Sequence, residues 1–110
     1  MTVKELPKSD VFKAVTLPEG EREISGVYIG DLLSWVMGRA QSDNAWITIM
    51  SNINVVAVAS LCDVACVILC ESVELDSEAV TAAEEKGVNI LSTELSAYGA
   101  AMALRELLGE

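Results

Sequence analysis

The chain has 110 residues and a mass of 11.7 kDa, and it is 52 % apolar but only 5 % aromatic, with a net charge of −10. That length fits one domain, residues 1–110, around a modest aliphatic core, and the acidic excess disfavours nucleic acid and anionic membranes as partners. No apolar run approaches the roughly 18–20 residues that span a bilayer, and "MTVKELPKSD" has no apolar leader segment, so a cytoplasmic location is expected.

Residues 2–6 suit a short helix capped by Thr2 and stopped by Pro7. "DVFKAVT" (10–16) alternates and is β-branched, which predicts a strand. Pro18 and Gly20 mark a charged turn over 17–23, and "ISGVYIG" (24–30) predicts a second strand, so this opening reads as a hairpin-like section. "DLLSWVMGRA" (31–40) places apolar residues at 32, 33, 36 and 37, a helical stripe with Asp31 as its cap. "AWITIM" (45–50) is a continuous apolar strand of the kind buried on both faces.

"NVVAVASLC" (54–62) is β-branched but lies between two strand-like segments, and a helix capped by Asn52 or Asn54 is expected. "CVIL" (66–69) is the next buried strand. "DSEAVTAAEEKG" (76–87) opens on Asp76 or Ser77 and closes on Gly87, a helix with both ends marked. "VNILS" (88–92) is the last strand, and Thr93 opens a final helix over 94–108. The alternation predicts an α/β fold, a mainly parallel central sheet with helices on both faces.

Ligands of open α/β sheets bind beyond the carboxyl ends of the strands. Those ends are Gly30-Asp31, Ser51-Asn52, Cys70-Glu71-Ser72 and Ser92-Thr93-Glu94. The candidate ligand-binding residues are Asp31, Ser51, Asn52, Asn54 and Thr93; the competing reading makes them helix caps and turn residues. Trp35 and Trp46 are candidate interface residues or core anchors, and Tyr28 and Tyr98 stay open in the same way.

Catalytic chemistry is poorly provided for. There is no histidine, no G-x-S-x-G elbow, no phosphate-binding G-x-x-x-x-G-K-[ST] loop and no G-x-G-x-x-G fingerprint. Cys62, Cys66 and Cys70 have neither zinc spacing nor a fourth ligand, and they read as small apolar core residues. Only Cys70 sits at a strand end, where neighbouring Glu71 raises its thiol pKa. No enzyme activity, no cofactor and no metal are expected.

The run "EREISGVYIGDLLSWVMGRAQSDNAWITIM", followed by "NVVAVASLCDVACVILCE" and "GVNILSTELSAYGAAMAL", resembles the DRTGG domain over roughly residues 2–108. That module is found alone, ahead of the catalytic region of some phosphotransacetylases and between CBS domains of some family II pyrophosphatases. Its fold is similar to the N-terminal domain of HPr kinase/phosphorylase. The family commonly carries Gly-Asp-Arg after the central strand, where this chain has Met50-Ser51-Asn52. It carries Thr-Gly-Gly after the next strand, where this chain has Cys70-Glu71-Ser72. The resemblance implies a non-catalytic regulatory or interaction module that self-associates as a homodimer, with a possible protein partner. The alternative is a sensor of a small metabolite or nucleotide at the strand ends.

Overall fold

A computed structural model describes residues 1–110. Five strands form one sheet: β1 (Lys13–Thr16), β2 (Val27–Ile29), β3 (Ala45–Thr48), β4 (Cys66–Leu69) and β5 (Ile90–Ser92). Their order across the sheet is β1-β5-β4-β3-β2, parallel except for β1, which runs antiparallel to β5. The helices are α1 (Leu33–Arg39), α2 (Ile53–Cys62), α3 (Ser77–Lys86) and α4 (Ala97–Leu108).

From β2 to β5 the chain steps one strand at a time in one direction. Right-handed crossovers taken in a constant direction put every connecting helix on the same face. Val36 of α1, Val55 and Val58 of α2 and Ala83 of α3 accordingly pack on Trp46, Val67 and Ile90. The opposite face is covered by α4 and by a 3-10 turn, Val3–Lys8. There Val3, Leu6, Phe12 and Leu104 pack on Ile47 and Ile68. Helices do lie on both faces, but α4 and the N-terminal turn supply the second layer, rather than the crossovers.

The hairpin-like reading of residues 10–30 is corrected. β1 and β2 are at opposite edges of the sheet. β5 presents an open edge that β1 closes, and Phe12 is buried as it does so. The segment between them crosses the amino-terminal end of the sheet and is pinned there by side chains. Asn89 accepts from Glu19 N–H (2.9 Å) and donates to Glu19 and Ala65 carbonyls (2.8 and 2.9 Å). Arg22 pairs with Asp43 (2.6 Å) and Asp63 (2.9 Å). The Ser42 hydroxyl, then Arg22, holds the Asp63 carboxyl below its ordinary pKa.

The other elements form close to where the residue pattern puts them. The ambiguous β-branched segment is a helix from Ile53, capped by Asn52, whose Oδ1 accepts from Asn54 N–H (2.9 Å). Gly87 closes α3 with φ +71°. Pro7 lies inside the N-terminal turn instead of ending it; a short 3-10 segment has few i−4 bonds for proline to break. Gly26, at φ +82°, turns the chain into β2 where a Cβ would lie 3.0 Å from the Asn44 amide.

Candidate functional site

The carboxyl ends of β2 to β5 converge on one edge, but the elements that follow them part company. β4 leads to α3 on one face and β5 leads to α4 on the other. The divergence opens a groove of about 680 Å3 beside β5, within the range of small-ligand sites. Lys13 of β1, Ser72 and Leu75 of the β4–α3 connection, and Ser92, Thr93 and Glu94 at the end of β5 contribute to its lining. Lys13 lies directly across from Ser92 in the sheet register. Asp10 and Glu74 complete a lining with three carboxylates to one ammonium.

The floor of this edge is held by backbone bonds between the two diverging loops. Glu71 N–H donates to Leu95 O (2.8 Å) and Ser72 N–H to Thr93 O (2.9 Å). Glu71 and Ser72 take φ values of +61° and +59°, the left-handed region that residues with a Cβ avoid. The turn conformation is therefore present without the residues that adopt it freely.

Of the five ligand candidates, the structure places only Thr93 in the groove. It is 4 % exposed and its hydroxyl accepts from Leu95 N–H (3.2 Å). It does not cap α4; Ser96 does, accepting from Gly99 N–H (3.1 Å). Asp31 does not cap α1. Its carboxylate turns to β3 and accepts from Thr48 Oγ1 (2.7 Å) and Ile49 N–H (2.9 Å), which ties the ends of β2 and β3 together. Asn52 caps α2, Asn54 is exposed beside it, and the Ser51 carbonyl accepts from Asp76 N–H (3.3 Å). None of these four belongs to the groove lining. Lys13 and Asp10 enter the groove only because β1 pairs with β5, a long-range pairing that no local signal announces.

The two tryptophans separate. Trp46 is fully buried and its Nε1–H donates to Gly30 O (2.9 Å); it is a core anchor and leaves the set of interface candidates. Trp35 is 56 % exposed, with the Arg39 guanidinium 3.9 Å from its ring centroid. All three cysteine thiols are held above their ordinary pKa. Burial pushes Cys66 up to about 12. Burial, opposed by a backbone hydrogen bond and assisted by Asp31 and Glu71, raises Cys70. Cys62 is raised by burial too, although it is half-buried instead of fully packed. A raised thiol pKa means little thiolate at neutral pH. No helix is long and apolar enough to cross a membrane.

Comparison with known proteins completes the description. No curated protein matches the chain. Among solved structures it is similar to the crystal structure of the CBS and DRTGG domains of the regulatory region of Clostridium perfringens pyrophosphatase, complexed with the activator diadenosine tetraphosphate. The TM-score is 0.66 at 12 % identity, over 83 % of this chain and 40 % of that one. The likeness is one of fold, and this chain spans about two-fifths of the length of that solved chain. A family model described as the DRTGG domain matches residues 14–107. The chain belongs to the DRTGG domain family, a family of regulatory domains.

Proposed function

We propose that the chain is a non-catalytic regulatory module that works as a homodimer. The observation that supports this reading is an apolar surface left open in a strongly acidic chain. Ile29, Leu32 and Trp35, which fall within seven residues of one another, are all at least half exposed, and a contiguous exposed apolar patch marks an interaction surface. Light scattering coupled to size exclusion at tens of micromolar tests it. The expected mass is twice the 11.7 kDa of the chain; a monomer across that concentration range removes the reading.

A second reading is favoured by the groove beside β5, which has the volume of a small-ligand site and the buried Thr93 hydroxyl in its lining. In this reading the module senses a small metabolite there. The solved relative of the fold carries a nucleotide activator. Three carboxylates in this lining mean that a polyanion needs an accompanying cation. A thermal-shift series with nucleotides, with and without Mg2+, and with small carboxylates tests the idea. A ligand at a hundredfold excess over its Kd adds about 2.7 kcal/mol of stability, and a melting point unmoved by every compound counts against the sensor.

A further inference from the structure

The two edges of the sheet are finished differently. β1 begins with Lys13 and has a register shift between Ala14 and Thr16, two devices that stop an edge strand from pairing further. β2, Val27-Tyr28-Ile29, has neither. The bonds from Ala45 N–H to Gly26 O (3.0 Å) and from Gly30 N–H to Ile47 O (3.2 Å) fix the phase of the ladder with β3. Gly26, Tyr28 and Gly30 turn their backbone groups inward, so Val27 and Ile29 turn theirs out of the sheet.

The surroundings of this edge suit a second copy of the same chain. Ile29 is 50 % exposed and Leu32 61 %. α1, which lies over β2 and β3, buries only Val36. From Ile24 to Gly38 the sole charged residue is Asp31, and its carboxylate is engaged by Thr48 and Ile49. Two chains of charge −10 repel each other, and they approach at least cost where each presents the fewest acids, here the single carboxylate of Asp31.

We infer that β2 pairs antiparallel with β2 of a second copy across a two-fold axis at Tyr28, joining the two sheets into one. Val27 of each copy then opposes Ile29 of the other, and each such pair exchanges both of its N–H···O bonds. The contact is isologous and closed. Leu32 and Trp35 of the two α1 helices meet over the join on one face, and Ile29 meets Val27 on the other. The inference rests on the proposal that the module self-associates, and it adds the surface.

Sedimentation equilibrium on the full chain, together with two variants and amide exchange, tests the two separately. Ile29→Lys places like charges on the join and is expected to raise the dimer dissociation constant at least roughly 100-fold. Val15→Lys, on the blunted edge, is expected to leave it within about threefold. In the unmodified chain the Val27 and Ile29 amides are expected to exchange more slowly as concentration rises through the dissociation constant, a readout independent of any variant's folding. If I29K dimerises like the parent and those amides stay unprotected, the β2 join is wrong while self-association stands. If the parent chain is a monomer throughout, both fall.

Discussion

Replacing Trp46 by alanine is expected to destabilise the domain by about 3–5 kcal/mol, whereas Trp35→Ala changes monomer stability by about 1 kcal/mol or less. The two residues are chemically identical and differ only in placement. Trp46 is fully buried on β3 and packs with Val36, Val55 and Val67. Its truncation leaves a void in a layer built from small aliphatic side chains, which cannot collapse far to fill it. It also removes the donor to Gly30 O. Domains of this size hold about 5–15 kcal/mol in total, and a loss of this order lowers Tm by roughly 4 °C or more per kcal/mol. Trp35 is half exposed, with the Arg39 guanidinium over its ring. Urea titration followed by far-UV circular dichroism measures both variants. Equal losses at the two positions would contradict the burial assigned to them. Trp46→Phe is a useful companion. It keeps most of the ring, leaves Trp35 as the sole tryptophan, and so turns fluorescence into a reporter of the surface that the β2 join covers.

How far the residues announce the structure depends on the range of the interaction. β3 and β4 are short continuous apolar runs, and burial on both faces forces that composition; they are found at 45–48 and 66–69. Asn52 and Gly87 act within one turn of their own helices, and both form the ends that their types favour. The segment 53–62 shows where local preference stops deciding. Its valines suit a strand, but β3 and β4 are parallel neighbours, and a parallel pair needs a crossover between them. Tertiary context therefore makes it a helix.

What the residue pattern does not reveal is mostly long-range. The partner of β1 is about eighty residues away in sequence, at β5, and with it goes a third of the groove lining. Ser72, Ser92, Thr93 and Glu94 could be placed at strand ends from the sequence; Asp10 and Lys13 could not. Asn89 is another case. A polar residue inside the apolar run "VNILS" is an anomaly that local reasoning leaves unexplained. It is 1 % exposed and spends its whole amide on Glu19 and Ala65, holding the 17–23 crossing to the sheet. Asp31 and Thr93 suit helix caps by type and position, yet each side chain bonds elsewhere because a closer donor competes for it.

The turn after β4 carries the second large prediction: Glu71→Gly with Ser72→Gly is expected to stabilise the domain by about 1–2 kcal/mol. A residue with a Cβ in the left-handed region costs roughly 1–2 kcal/mol relative to its preferred conformations, and both residues are held there. Glycine brings a greater loss of chain entropy on folding, about 0.4–1 kcal/mol per site, so the net gain per site is a fraction of the strain. Nothing else is forfeited. Both side chains are exposed and neither makes a hydrogen bond, while the bonds that hold the turn come from the main chain, to Leu95 O and Thr93 O. The sites are adjacent, so the double variant must be measured directly and not summed from singles. A rise in Tm of roughly 4–8 °C per kcal/mol is expected in calorimetry. The control is E71A with S72A, which removes the same polar groups and charge but keeps a Cβ in the left-handed region, and it is expected to leave Tm nearly unchanged. If alanine stabilises as much as glycine, the gain comes from relieving charge in an acidic chain and the strain argument fails. If only glycine stabilises, the left-handed backbone of this turn is held against the preference of Glu71 and Ser72. The path of the main chain between β4 and α3, the wall of the groove, is then set by its own hydrogen bonds to Thr93 and Leu95 and not by the side chains along it.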